Sequence, residues 1–281
     1  MIWKVREKIV SFDRTLLAGI VNVTPDSFSD GGKFLDPEKA AEHALKLVSD
    51  GADMIDLGAE STRPGAKCMT AAEEIKRLLP VIRALREKTD AILSIDTAKI
   101  EVAKKCLEEG ADVINDTSGL RISGKKMAAV AKSFRAGLIL MHSRGTPETM
   151  QAMTGYHDLQ GEILKELAGS IEIALKSGVE RERIMIDPGL GFAKNAAQNI
   201  AVLKELKPFL ETGYPVMIGP SRKSFIGKVT GRESAEDRDF GTAACVAACI
   251  LQGAHAVRVH EVKGMRDVIR MTEALREGAP L

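Results

Sequence analysis

The sequence predicts a (β/α)₈ TIM barrel: one domain over residues 1–281 with a short N-terminal extension. Three observations predict it. Short β-type runs alternate with longer helical ones eight times. The short runs are apolar without alternation, as in Ala91-Ile92-Leu93-Ser94-Ile95, which suits parallel strands buried on both faces. Glycines 51, 110, 178 and 253 stop the helical segments, and the triplets Gly51-Ala52-Asp53, Gly110-Ala111-Asp112 and Gly253-Ala254-His255 recur where helix passes into strand. Eight such units in about 250 residues fit a closed barrel. A doubly wound open sheet is the rival, but neither Gly-x-Gly-x-x-Gly nor a Walker motif follows any strand.

The elements follow in order. Residues 1–12 precede the barrel and are expected to plug its base. The expected strands are Leu16–Val21, Asp53–Leu57, Ala91–Ile95, Asp112–Ile114, Gly137–Met141, Arg183–Ile186, Pro215–Ile218 and Ala256–Val259. The helices between them are Pro37–Ser49, Ala71–Glu87, Ile100–Glu109, Lys125–Phe134, Leu159–Lys176, Asn199–Phe209, Asp237–Gln252 and Lys263–Arg276. No linker or low-complexity tract divides the chain.

Composition narrows the function classes. Forty Lys and Arg against 39 Asp and Glu give a net charge of +1, so no global field draws the chain to nucleic acid or anionic lipid. The segment Met1 to Val10 carries Lys4, Arg6, Glu7 and Lys8 and has no apolar core, unlike a signal peptide. No apolar run approaches a membrane span. Cys68, Cys106, Cys245 and Cys249 have neither zinc spacing nor a disulfide pattern. These features point to a soluble protein of a reducing compartment, the cytosol.

The chain's most informative stretch is the loop after the first strand, Asn22-Val-Thr-Pro-Asp-Ser-Phe-Ser-Asp-Gly-Gly32. Pro25 and Gly31-Gly32 exclude helix and strand, and Phe28 stands alone among carboxylates and hydroxyls. That mixture suits a loop closing over an aromatic ligand; an ordinary turn with one stray Phe is the plain alternative.

Barrel function sits at the carboxyl ends of strands. Those ends carry Asn22; Asp56 with Glu60-Ser-Thr-Arg-Pro-Gly65; Asp96-Thr97; Asn115-Asp116; His142, Ser143 and Arg144; Asp187-Pro-Gly189; Ser221-Arg-Lys-Ser224; and Arg258-Val-His260. Polar residues marking strand ends would explain any one of these positions but not the whole ring. Asp96, Asn115 and Asp187 suit a flat heterocycle edged with N–H donors, and Lys223 suits its ring carbonyl or ring nitrogen. Arg63, Arg258 and His260, with Asn22 nearby, suit a phosphate or diphosphate. Arg258 and His260 share a strand face, and a rim ion pair is the alternative for them. Ser221 is expected to open the helix after strand seven, and His142 is read as structural.

The chain resembles the dihydropteroate synthases of the pterin-binding enzyme family. The resemblance rests on the two loops quoted above, Ser94-Ile-Asp-Thr97, Ile114-Asn-Asp116, Met141-His142 with Arg144-Gly145, Asp187-Pro-Gly-Leu-Gly-Phe192, Ser221-Arg-Lys223 and Arg258-Val-His260. It implies a transferase that joins 6-hydroxymethyl-7,8-dihydropterin diphosphate to p-aminobenzoate, a sulfonamide target of folate biosynthesis and a homodimer. It further implies that Asp96, Asn115, Met141, Asp187, Phe192 and Lys223 hold the pterin. Asn22, Arg63, Arg258 and His260 would hold the diphosphate, with Asn22 on Mg²⁺. Phe28, Thr62, Pro64 and Ser224 would enclose p-aminobenzoate; Asp30, in the closed first loop, joins Asp96, Lys223, Arg258 and His260 as the catalytic set. The chain departs from the family pattern at Ala59, Ala193, Pro220 and Glu261, and Ala193 and Pro220 are expected to stiffen their loops. A pterin-binding methyltransferase barrel, a non-catalytic pterin-binding paralogue and a phosphosugar barrel remain the competing readings.

Overall fold

A computed structural model describes residues 1–24, 36–60 and 69–278. An antiparallel hairpin, β1 (Ile2–Val5) and β2 (Lys8–Ser11), comes first. Eight parallel strands follow: β3 (Leu16–Asn22), β4 (Met54–Gly58), β5 (Ile92–Asp96), β6 (Val113–Asp116), β7 (Gly137–Met141), β8 (Ile184–Asp187), β9 (Met217–Ile218) and β10 (Ala256–Val259). Their order is β8-β7-β6-β5-β4-β3-β10-β9. A parallel bridge between Ile186 and Val216 joins the two ends and closes the barrel.

The helices are α1 (Pro37–Ser49), α2 (Ala71–Arg86), α3 (Ile100–Glu108), α4 (Gly124–Ser133), α5 (Leu159–Lys176), α6 (Ala196–Lys204), α7 (Lys207–Leu210), α8 (Ser224–Thr230), α9 (Asp239–Leu251) and α10 (Val262–Glu277). Local chemistry sets their starts. Asp36 caps α1 by accepting from the N–H groups of Glu38 and Lys39, and Thr70 and Glu73 form a capping box on α2. The expected helix Asn199–Phe209 is two helices. Glu205 breaks the ladder at φ −145°, and Pro208 falls in the first turn of α7, where its missing N–H removes no bond. A helix after strand seven was expected to open at Ser221; α8 starts three residues later, at Ser224, and α9 follows it.

Each strand sends alternate residues into the barrel. The lower interior layer is Leu16, Ala18, Met54, Ile92, Val113, Ile139, Met185, Met217 and Ala256. Trp3 and Val5 of the hairpin belong to the same buried cluster, so the N-terminal segment plugs the base as expected. The Trp3 indole N–H donates to the Arg183 carbonyl at 2.9 Å, which satisfies its polar edge. Outward residues such as Leu17, Ile55, Leu93, Ile114, Leu138 and Ile186 pack under the helices. This double burial is why the strands read as continuous apolar runs.

Candidate active site

Going up each strand in steps of two, the interior changes from apolar to polar. Above the lower layer come Asp56 and Ser94, both fully buried, and then Asp96, Asn115, Asp187 and Arg258. Strand register aligns part of the upper rung. Asn22 pairs with Gly58, Gly58 with Asp96 and Asp96 with Asn115. Met141 pairs with Asp187. One cleft is lined by Asp96, Asn115, Thr117, Met141, Asp187, Leu190, Phe192, Gly219, Lys223 and Arg258. All six residues expected to hold the heterocycle therefore lie together.

Arg258 bridges the floor. Its Nε donates to Asp56 at 2.5 Å and its Nη2 to Asp96 at 2.9 Å. Asn115 Nδ2 donates to the same Asp56 oxygen at 3.1 Å. Asp56 was noted at a strand end but given no role. Its inward position was readable, being two residues beyond inward Met54 on the same strand. Burial works against the charge of Arg258, but Asp56 and Asp96 outweigh it and raise its pKa. Burial also pushes the Asp96 carboxyl up to about 7, with Arg258 opposing. Asn115 Oδ1 is buried without a hydrogen-bond partner among the described residues, leaving the floor an acceptor for a donor-edged ligand.

Asp187 and Lys223 form the other wall. Burial raises Asp187 to about 6, against the pull of the Gly189 N–H, which donates to its Oδ1 at 2.7 Å. Burial lowers Lys223 to about 8. The Lys223 ammonium lies 4.5 Å from the centre of the Phe192 ring, a cation–π contact. Gly189 has φ +70°, and a Cβ there would lie 1.9 Å from the His142 carbonyl oxygen, so no other residue fits.

At the lip, Ser221 Oγ and His260 Nδ1 are 2.8 Å apart, and the His260 N–H donates to the same hydroxyl. Ser221 does not open a helix. Arg222 takes a left-handed φ of +55°, and α8 begins only at Ser224, after Lys223 as N-cap. Arg222 is held by Asp239 and Thr242. Ser224 is exposed and Asn22 half-buried. Glu261 caps α10 by accepting from the Gly264 N–H, so the departure after His260 has a structural use. Phe28, Asp30, Thr62, Arg63 and Pro64 lie outside the described residues.

The remaining polar strand ends are supports. Asp116 accepts from Ser118, Leu120 and Ser123 and closes its own turn. His142 sits between Glu166 and Lys194, at 3.0 and 2.9 Å. Burial holds its pKa down to about 4, so it is neutral and structural, as read from sequence. Arg144 pairs with Glu162 and Glu166 and stacks on Tyr156 at 4.0 Å. Lys99 pairs with Glu60 and with buried Glu74, which also accepts from Thr97, anchoring the base of the second loop. Neither Lys194 nor Glu74 carries a sequence signal that would have found it, because each acts through partners distant in the chain.

Cys106, Cys245 and Cys249 are free, and burial pushes Cys106 up to about 12 and Cys245 to about 11, so neither is a thiolate nucleophile at neutral pH. No group of three or more His, Cys, Asp or Glu able to hold a metal occurs among the described residues. No helix among them is long and apolar enough to cross a membrane.

Comparison with known proteins places this geometry. The pterin binding enzyme family matches residues 18–260. The dihydropteroate synthase of Synechocystis sp. is 45% identical over 93% of this chain and 90% of its own length. The Xanthomonas albilineans dihydropteroate synthase, solved with 4-aminobenzoic acid, superposes with a TM-score of 0.92 at 38% identity, covering all of both chains. The Yersinia pestis dihydropteroate synthase, solved with a sulfonamide drug complex, gives 0.92 at 35% identity over 99% of this chain and all of its own. With a closed eight-stranded barrel and a cleft of short acceptors facing the half-buried Lys223, the chain belongs to the pterin-binding enzyme family, among its dihydropteroate synthases.

Proposed function

We propose that the chain is the transferase that condenses 6-hydroxymethyl-7,8-dihydropterin diphosphate with p-aminobenzoate, giving 7,8-dihydropteroate and diphosphate for folate biosynthesis. The observation that carries this reading is the grouping of Asp96, Asn115, Asp187 and Lys223 around one cleft with Met141 and Phe192. Carboxylates and an amide accept from the N–H edge of a pterin, Lys223 donates to its carbonyl or ring nitrogen, and Met141 and Phe192 line its faces.

The diphosphate is assigned to Asn22, Arg63, Arg258 and His260. Neutralising its charge makes it a good leaving group from an electron-rich pterin methylene. The carboxylates of the cleft then face the resulting cation, and the arylamine nitrogen attacks it, losing its proton as the C–N bond forms. Phe28, Thr62, Pro64 and Ser224 are assigned to p-aminobenzoate, and Asp30 to the first loop; exclusion of competing water from the cation is the task this reading gives that loop.

Mg²⁺ is the cofactor of this reading. The half-buried Asn22 amide at the end of β3 offers the hard oxygen such an ion takes, with diphosphate and water supplying the rest. When bound, the ion supplies further charge neutralisation on the leaving group.

We also place the protein in the cytoplasm as a homodimer. Phe240 and Leu251 on α9 are 94% and 53% exposed, and Met271 and Leu275 on α10 are 60% and 68% exposed. Light scattering of Phe240→Asp tests the dimer; a monomer in both wild type and variant refutes it.

The deciding assay is incubation with both substrates and Mg²⁺, watching for dihydropteroate. Calorimetry separates the synthase from a methyltransferase barrel: pyrophosphate with Mg²⁺ should enable p-aminobenzoate binding. Pterin binding with no such effect favours the rival.

A further inference from the structure

The turn from Gly189 to Ala193 carries Phe192 over Lys223. Side chains from three segments hold its main chain. Lys194 Nζ donates to the carbonyls of Gly189 at 3.0 Å and Phe192 at 3.1 Å. Gln151 Nε2 donates to the Gly191 carbonyl at 3.2 Å, and the Tyr156 hydroxyl to the Ala193 carbonyl at 3.0 Å. On the other side, Asn199 Oδ1 accepts from the Gly191 N–H at 2.6 Å. The turn needs this grip, since Gly189, Gly191 and Ala193 all have left-handed φ, +70°, +82° and +50°. Such a conformation persists only where its surroundings over-determine it.

Lys194 is the hub. It is 2% exposed, and its third contact is His142 Nδ1 at 2.9 Å. A buried ammonium is an expensive brace, and burial lowers its pKa to about 7. Three donors on one compact head are what two carbonyls and an imidazole lone pair require.

We propose that Lys194 is a positioning residue for the pterin site. Through the Gly189 and Phe192 carbonyls it sets the Phe192 ring against Lys223. Through Gly189, whose N–H tethers Asp187 Oδ1 at 2.7 Å, it also fixes the carboxylate. It does this without lining the cleft itself. The inference rests on the pterin reading of the cleft.

The test is steady-state kinetics on the full chain with each substrate varied in turn, together with direct pterin binding. Lys194→Met should raise the KM for the pterin diphosphate roughly tenfold or more, as lost buried hydrogen bonds do, with the p-aminobenzoate KM little changed. Lys194→Gln retains a donor and should recover part of the loss. Gln151→Ala, at an exposed residue, should shift the pterin KM in the same direction by a smaller factor. A merely structural lysine would instead lower the active fraction, and so the apparent kcat, at unchanged pterin KM. That result, or equal rises in both KM values, overturns the proposal. Should Lys194→Met not fold, the same ratio in Lys194→Gln and Gln151→Ala decides. Failure of the pterin reading itself is separate, because the wild type would then not bind pterin at all.

Discussion

Arg258 and Asp96 meet across the inside of the barrel, 2.9 Å apart although 162 positions separate them in the chain. The same guanidinium serves Asp56, so one cation holds two buried carboxylates. Arg258→Met removes the cation that opposes the burial-raised pKa of Asp96, so that carboxyl holds its proton to higher pH. A carboxyl whose folded pKa is raised above its unfolded value stabilises at low pH and loses that contribution as pH rises. The variant's deficit should therefore be small near pH 5 and reach about 3 kcal/mol by pH 8. Denaturant melts at the two pH values measure it, and a deficit that does not change with pH contradicts the bridging role.

Asp187 sets stability against binding. Burial holds its folded pKa near 6, above the ordinary value of 3.8, so its ionised form opposes folding at neutral pH. Asp187→Asn keeps an oxygen for the Gly189 N–H and removes the buried charge. It should gain about 1–3 kcal/mol at pH 8, with less gain at pH 5, while pterin binding is lost. A variant that binds pterin normally would falsify the edge-reading assignment.

Pterin affinity should follow a bell in pH. On the acid side Asp187, near 6, and Asp96, near 7, take up protons and lose acceptor capacity. On the basic side Lys223, near 8, loses its donor charge. Fluorescence or calorimetric titration from pH 5 to 9.5 reads both limbs. Lys223→Met should bind far more weakly and lose the basic limb; a basic limb that survives belongs to another group.

Ala193 stands in a left-handed conformation at φ +50°, completely buried. Ala193→Gly should stabilise the chain by about 1 kcal/mol, because an L side chain is disfavoured there. Thermal melts should rise by about 2–4 °C. A fall would mean that the methyl group's packing outweighs the backbone strain.

At the far end of the barrel, a Cβ on Gly137 would stand 2.7 Å from the Trp3 ring and 3.0 Å from Val5. Gly137→Ala must displace the hairpin and should cost about 1–3 kcal/mol. Both KM values should stay unchanged, since the plug lies below the polar rung; altered KM would show that base and mouth are coupled.

The barrel was legible because its signals are local and periodic. Helices α1 and α5 have the expected bounds, and each follows an aspartate cap, Asp36 and Asp158. The strand-end residues of the cleft were legible because each is polar beside an apolar run. Asp96 and Asp187 stand at strand ends as expected, each as the last residue of its strand, one residue beyond the expected bound. Helix α8 was expected only as a start at Ser221, and its true bounds were not legible because seven residues carry too short a period to stand out. The Lys194–His142–Glu166 chain was invisible because its members lie 52 and 24 positions apart and meet only in the fold. Arg258 was read as a phosphate-binding cation, with a rim ion pair as the alternative; it does form an ion pair, but across the barrel floor with Asp56 and Asp96.

The hairpin plug has a practical consequence. It seats Met1, 56% exposed, at the opposite pole of the molecule from the cleft. Tethering the chain to a sensor chip or resin through its amino end should leave the mouth facing the flow, so that ligands reach the immobilised protein as freely as the dissolved one.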